Sequence, residues 1–299
     1  MAAPNPSTSD SPSVERLLGK ELSDIKIPPR PAVLSHIEKE MLSRSPNLAS
    51  LGEIISADVG VSASLLKIAN SAYFGHCGTV RSIKEALQIL GLNTVANAIA
   101  ALSLRKAFAH VPNLERFWDS SARIAQLSGW IVGQLRETPF MVRPEEAFTF
   151  GLFRDCGMPA ILSMFDDYFD ILRVANNESE RPFTAVEDAA MELNHAVVGG
   201  LLAQEWKLPF EFRNAIELHH DVNAIRGGAT QNIPDAARQF MAVSQLAEFL
   251  FQSLSGMSKS CEWSKLGEAC LEVLRLQEEA IPALLEAARA EGVHSQPVI

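Results

Sequence analysis

The chain has 299 residues, of which 47% are hydrophobic and 21% are charged, a balance typical of globular domains. Its formal net charge is −10 and no cluster of Lys or Arg stands out, which argues against a surface that follows nucleic-acid phosphates. The four cysteines are scattered and form no CxxC pair, so neither a cysteine-based zinc site nor a disulfide framework is predicted.

The N-terminal residues 1–23 are expected to form a disordered leader that runs into the start of the first helix. The stretch "MAAPNPSTSDSPS" is rich in Pro and Ser and has neither a basic region nor an apolar core, so it does not resemble a secretion signal. No apolar run is expected to reach the length of a bilayer span. We therefore expect a cytoplasmic protein without a membrane contact.

Helical periodicity continues through almost all of the remaining sequence, and no strand-like alternation lasts long enough to compete with it. The first predicted helices lie in "PAVLSHIEKEMLSR", "LASLGEIISAD" and "SASLLKIANSAYFG". "SIKEALQILG" has a capping box from Ser82 to Glu85 and Gly91 where a helix should stop. A second capping box is predicted from Thr184 to Glu187. The fold class expected from this pattern is all-α.

The residues best able to carry chemistry are the pair Arg154-Asp155, His195, and the pair His219-His220. Imidazoles and carboxylates gathered from several helices can hold a divalent ion, which activates a bound water for attack on phosphorus. Each residue also has a structural interpretation. His195 could be a core histidine, and His219-His220 could stabilise the end of a helix.

The chain resembles the HDOD domain, an output domain related to the HD and HD-GYP metal phosphohydrolases. The resemblance rests on "IPPRPAVLSHIEKEM", "LLKIANSAYFG", "SIKEALQILGLNTVANAIAALSL", "EEAFTFGLFRDCG", "NHAVVGGLLAQEWKLP" and "AIELHHD". It covers residues 24–222 and implies a multi-helix, HD-like bundle. Residues 223–299 are then expected to form a C-terminal helical extension that packs on this core.

The resemblance also implies which positions of a metal site remain. Asp155, His195, His219 and His220 match ligand positions of the phosphohydrolases. The resemblance also implies that three positions have lost their ligands, namely Ser120, Arg154 and Gln245. The resemblance therefore implies a degenerate site without catalytic residues.

Arg154 is the strongest reason to expect that this remnant site is empty and that no cofactor is bound. A guanidinium about 4 Å from a divalent ion would cost on the order of 8 kcal/mol at an effective dielectric constant near 20. The alternatives are a divalent metal held by the remaining ligands, or a nucleotide phosphate bound by Arg154. We favour instead an ion pair in which Arg154 joins two helices.

The motif "NSAYFG" is expected to be structural at Asn70, Ser71, Tyr73, Phe74 and Gly75. Asn70 should end a helix, Gly75 should supply a turn, and the aromatic side chains should fill the core. The alternative is an aromatic contact with a partner protein.

The function expected from the resemblance is regulation by protein contacts in bacterial signalling, without catalysis. The partners would be other signalling proteins, with a homodimer as an alternative. The first rival is a divergent metal-dependent phosphohydrolase that uses Asp155, His195, His219 and His220. The second rival is a sensor that binds a nucleotide in the remnant pocket without turnover.

Overall fold

The computed structural model describes residues 27–70, 79–135, 141–228 and 232–293, and within these ranges it contains helices and no β-strand. The all-α prediction is therefore confirmed. In chain order the helices are α1 (Ala32–Met41), α2 (Leu48–Ser56), α3 (Val59–Ala69), α4 (Ile83–Ala107), α5 (Glu115–Gln134), α6 (Pro144–Phe153), α7 (Gly157–Leu162), α8 (Tyr168–Asn177), α9 (Phe183–Met191), α10 (His195–Glu205), α11 (Phe210–Leu218), α12 (Val222–Arg226), α13 (Asp235–Ser255), α14 (Glu262–Leu274) and α15 (Ala280–Ala290).

The centre of the fold is the packing of α5, α6 and α13. Met241, Val243, Leu246 and Leu250 of α13 are fully buried among the side chains of these helices. Helix α13 also contacts α11 and α14, so this part of the sequence after residue 222 lies within the main hydrophobic core. The boundary between the two predicted segments stays a prediction.

Helix α4 contains the predicted break at Gly91. Its φ of 75° lies in the left-handed region, which favours glycine, and it separates two helical segments across a kink. The predicted cap is also present, since Ser82 Oγ accepts a hydrogen bond from Glu85 N at 3.2 Å. Glu85 Oε2 in turn accepts from Arg81 N at 2.8 Å.

The expectation that no apolar run approaches the length of a bilayer span needs a correction. Helix α4 is long and apolar enough to cross a membrane by length and composition, and so is the bent pair of α2 and α3 taken together. Half of the most apolar stretch of α4 is buried inside the fold, and core helices of globular proteins can be equally long and apolar. The break at Gly91 also divides the helix into shorter segments, so these features are weak evidence for a membrane span.

The second predicted capping box is wrong. Helix α9 begins at Phe183 after Pro182, and no side chain caps its N-terminus. Thr184 therefore lies inside the first turn. Glu187 does not reach back to the start of the helix; it is completely buried and points into the interior of the protein.

Candidate metal centre

Four side chains from three parts of the chain bring their metal-binding atoms together. Asp155 lies in the turn between α6 and α7, His195 is the first residue of α10, and His219 and His220 follow the last residue of α11. One ligand atom from each of the four residues lies within 4.8 Å of the others. The structure thus brings together all four remaining ligand positions that the resemblance implies.

Close packing of α7 against α10 brings Asp155 to His195. A Cβ atom added to Gly157 would lie 2.1 Å from the carbonyl oxygen of His195 and 2.7 Å from the amide nitrogen of Gly199. Only glycine permits this approach of two backbones. Asn194 fixes the start of α10, because its side-chain oxygen accepts a hydrogen bond from Val197 N at 2.9 Å.

Four of the six separations between the ligand atoms match those expected around one ion. Nε2 of His195 lies 3.3 Å from Nε2 of His219 and 3.2 Å from Nε2 of His220. Asp155 Oδ1 lies 3.2 Å from Nε2 of His219 and 3.6 Å from Nε2 of His195. A tetrahedral ion with bonds of about 2.0–2.2 Å would separate its ligand atoms by about 3.3–3.6 Å.

Each histidine uses its other ring nitrogen, Nδ1, to contact an oxygen atom that accepts a hydrogen bond. The pairs are Nδ1 of His195 with Glu187 Oε2 at 2.8 Å, Nδ1 of His219 with the carbonyl oxygen of Ile216 at 2.8 Å, and Nδ1 of His220 with Glu262 Oε2 at 2.5 Å. A proton on each Nδ1 leaves the lone pair of Nε2 free and directed at the cluster. Metal-binding histidines are oriented in this way by carboxylates and carbonyl groups.

The protonation of the cluster also suits a cation. Burial lowers the pKa of His219, and burial followed by the neighbouring histidines lowers the pKa of His220. Burial opposes ionisation of Asp155, but the charge of Arg154 outweighs it and holds the pKa of this carboxyl well below its usual range. The neutral imidazoles of His219 and His220 therefore face an ionised carboxylate, and Asp155 Oδ1 has no hydrogen bond of its own. An ion between these atoms would relieve the repulsion of their lone pairs.

His195 differs from the other two histidines in its pKa. Burial lowers this pKa, but the carboxylate of Glu187 outweighs that effect and raises it overall. Tyr168 also donates a hydrogen bond to Glu187, so this carboxylate holds a phenol and an imidazole at once. The arrangement fixes the plane of the His195 ring.

The guanidinium of Arg154 is engaged by two carboxylates. Its Nε and Nη2 donate to Asp155 Oδ2 at 3.2 and 2.9 Å, while Nη1 lies 3.0 Å from Glu248 Oε2 on α13. Burial opposes the charged guanidinium, but the two carboxylates outweigh it and raise the pKa of Arg154. Asp155 therefore divides its oxygens: Oδ1 faces the histidines and Oδ2 faces Arg154. The contact with Glu248 is an ion pair of the kind that the sequence favours for Arg154, and the alternative of anion binding stays a prediction.

The formal charges around the cluster leave room for a divalent cation. Four carboxylates belong to the cluster and its direct partners, namely Asp155, Glu187, Glu248 and Glu262. Two cations face them, Arg154 and Lys265. With His219 and His220 neutral, the group carries two uncompensated negative charges when His195 is neutral and one when His195 is protonated, in a buried environment where unbalanced charge is costly.

Two of the three positions that were expected to have lost ligands, Ser120 and Gln245, make contacts with residues other than the four ligands. Ser120 contacts Ser258, with 3.1 Å between the two Oγ atoms. Gln245 is buried and donates to Glu248 Oε2 at 3.2 Å, so it touches the partner of Arg154.

Within the "NSAYFG" motif only Asn70 can be placed. It follows the last residue of α3, and its side chain accepts from Val80 N at 2.7 Å and donates to Val80 O at 2.8 Å. Asn70 thus joins the two ends of the intervening segment. Ser71, Tyr73, Phe74 and Gly75 lie outside the described residues.

Sequence reasoning missed three carboxylates and one phenol that support the centre, namely Glu187, Glu248, Glu262 and Tyr168. Glu262 lies 42 residues after His220 in the chain, so its contact could not be inferred without the fold. The sequence held a weak indication that Glu187 is buried and paired. Glu187 lies four residues after Phe183, on the same face of the helix, and a glutamate on an apolar face is rarely buried without a partner.

The centre is closed by its own neighbours. His195, His219 and His220 are all buried, and the ring of Phe183 stacks on His220 with 4.9 Å between ring centroids and 14° between ring planes. Two surface pockets of about 520 and 500 Å³ are formed by other residues, and neither includes a ligand of the centre. A cation held here would have four protein ligands, as in structural sites rather than in sites with an open position.

Comparison with known proteins supports the resemblance inferred from the sequence. A family model described as HDOD domain matches residues 27–222. An uncharacterised protein from Treponema pallidum (strain Nichols) is 22% identical over 254 residues, which is 85% of this chain and 47% of that protein. The chain thus spans about half the length of this curated relative.

Two solved structures are similar in fold. An HDOD domain protein of unknown function from Geobacter sulfurreducens is 19% identical, with a TM-score of 0.66 over 95% of this chain and 98% of that one. A candidate phosphohydrolase from Shewanella amazonensis SB2B is also 19% identical, with a TM-score of 0.63 over 91% of this chain and 95% of that one. At this identity the similarity shows the fold alone.

Proposed function

Because the chain belongs to the HDOD domain family, we propose that it is a signalling module that holds one divalent metal ion in a closed centre and acts on partners by contact, without turnover. The sequence alone favours an empty site, and a bound divalent metal is the alternative that we propose here. The family is related to the HD phosphohydrolases and to signal-transduction proteins. The ion would supply a positive charge. Its ligands would connect the turn after α6, the start of α10 and the end of α11.

One observation carries the metal proposal: three Nε2 atoms and Asp155 Oδ1 lie within 4.8 Å of one another, and four of their six separations are about one tetrahedral edge, while every Nδ1 is already engaged. Imidazole and carboxylate together suit Zn²⁺, Fe²⁺ or Mn²⁺ better than the soft ions that prefer sulfur. Asp155 and the three histidines would hold the ion. Glu187 and Glu262 would orient their rings.

The absence of turnover is proposed from Arg154 and from closure. A second ion next to Asp155 would meet the guanidinium that already occupies Oδ2, and Arg cannot ligate a cation. The ring of Phe183 lies on His220, so the side of the centre facing α9 is covered by a side chain. These features favour a structural ion over one that activates a water for attack.

The rival phosphohydrolase has one observation in its favour, which is the retained set of four ligands. We load the native protein with Zn²⁺, Fe²⁺ or Mn²⁺ and offer it a nitrophenyl phosphodiester or a cyclic dinucleotide. We expect it to hydrolyse each substrate no faster than an Asp155→Ala variant does. The assay measures product release over time for both proteins side by side. Turnover by the native protein that disappears in Asp155→Ala would support the phosphohydrolase and contradict the proposed function.

A further inference from the structure

An exposed apolar surface lies next to the metal centre. Met164, Phe165, Phe169 and Val174 are between 36 and 52% exposed, and all four lie on α8 or in the turn that leads into it. We call the first three of these side chains, Met164, Phe165 and Phe169, the α8 surface, because Val174 lies about 140° from Phe169 around the helix. Large apolar side chains grouped in one short exposed segment are a feature of protein contacts.

The inner side of the same helix supports the metal ligand His195. Tyr168, between Phe165 and Phe169 in sequence, is completely buried and donates a hydrogen bond to Glu187. Glu187 then accepts from Nδ1 of His195 at 2.8 Å. Only two hydrogen bonds separate the start of α8 from a ligand of the centre.

A second connection runs from the inner side of α8 to His220. Ala175 is fully buried in a small apolar cluster with Phe183, and Leu172 packs on this cluster. Phe183 stacks on the ring of His220. A shift of α8 would therefore change the packing around a second ligand.

A third connection starts at the end of α8. The carbonyl oxygen of Asn176 accepts a hydrogen bond from Cys261 N at 2.9 Å. The next residue, Glu262, is the first residue of α14 and contacts Nδ1 of His220 at 2.5 Å. Both ends of α8 are thus tied to side chains that orient metal ligands.

The charges around the α8 surface indicate the chemistry of its partner. Asp166, Asp167 and Asp170 lie beside the apolar side chains, and the only cation between residues 163 and 177 is Arg173, which pairs with Asp170 at 3.1 Å. Asp166 and Asp167 are exposed. This acidic border suits a basic partner, and it disfavours a second copy of a chain whose net charge is −10.

We propose that the α8 surface binds a basic amphipathic segment of a partner protein, and that this binding is coupled to occupancy of the metal centre. The coupling rests on the proposed function, whereas the docking does not. Because coupling between two sites is reciprocal, the ion and the partner change each other's affinity by the same factor.

The docking is tested with a synthetic amphipathic helix of Leu and Lys as the probe, and with its twin in which Glu replaces each Lys. Anisotropy titrations should give tighter binding of the Lys peptide, and the double variant Phe165→Ser/Phe169→Ser should weaken it about tenfold or more. Phe210→Ser is the matched control, since Phe210 is an exposed Phe of another helix. Equal binding by the double variant and the native protein would overturn the docking site. A native dimer that dissociates in the double variant would overturn the basic partner in favour of a second copy.

The coupling is tested by repeating the titration after removal of metal with a chelator. We expect the affinity for the Lys peptide to change about fivefold or more. Tyr168→Phe should reduce this dependence, because it removes the hydrogen bond to Glu187 and leaves the α8 surface in place. Equal affinity with and without metal would overturn the coupling. The metal content of each sample shows which of the two hypotheses has failed. Native protein without metal contradicts the proposed function. Metal-loaded protein whose peptide affinity does not change on removal of the metal contradicts only the coupling.

Discussion

Replacing Arg154 with Leu should lower the free energy of unfolding by about 3–5 kcal/mol, the cost of removing one partner from a buried charge pair. The guanidinium is 4% exposed and pairs with both Asp155 and Glu248, so its loss leaves two carboxylates without a cation. Urea unfolding of the native protein and the variant at pH 7 measures the difference.

The matched control is Arg173→Leu, whose ion pair with Asp170 is 74% and 76% exposed and should contribute about 0–1 kcal/mol. The double variant Arg154→Leu/Glu248→Leu should lose less stability than Arg154→Leu alone, because it removes one of the two unpaired carboxylates. A loss for Arg154→Leu no larger than that of the control would contradict the buried-pair interpretation.

Replacing His219 with Ala should abolish metal binding and lower the melting temperature. If free metal is about a thousandfold above its dissociation constant, the ion stabilises the fold by about 4 kcal/mol. That corresponds to a fall of about 6 °C for a chain of 299 residues. Metal analysis and a thermal melt on the same sample provide the measurement.

Two controls separate loss of the ion from loss of packing at position 219. A chelator should lower the melting temperature of the native protein and leave that of His219→Ala unchanged. His36→Ala, which alters an exposed histidine on α1, should keep the native metal content. Metal retained by His219→Ala would contradict the proposed centre. So would a native protein whose melting temperature does not change when the chelator is added.

The helical class and several helix ends followed from local sequence. Ser82 and Gly91 act through hydrogen bonds and backbone angles within a few residues, which are properties that sequence can report. The assignment of Glu187 to a cap failed for a related reason. The N-cap of α9 is Pro182, two residues before the predicted cap at Thr184, and Glu187 instead accepts a hydrogen bond from His195 in the interior.

The resemblance named the four metal-binding positions, but it did not reveal their outer contacts. Glu262 and Glu248 reach the centre from α14 and α13, far along the chain from the residues they touch. An empty site is expected from the sequence because the charge of Arg154 is adjacent to Asp155 in the chain. In the fold, Glu248 and Asp155 Oδ2 take up that charge, while Asp155 Oδ1 stays with the histidines.

The most direct test of a single closed metal centre is the metal content of native protein purified without a chelator or a metal-affinity tag. Elemental analysis should find about one divalent ion per chain, bound by Asp155 and the three histidines. Metal well below one ion per chain would contradict this account, and the facing Nε2 atoms would then have to share protons. About two ions per chain would contradict it in the other direction, because Arg154 should exclude the second.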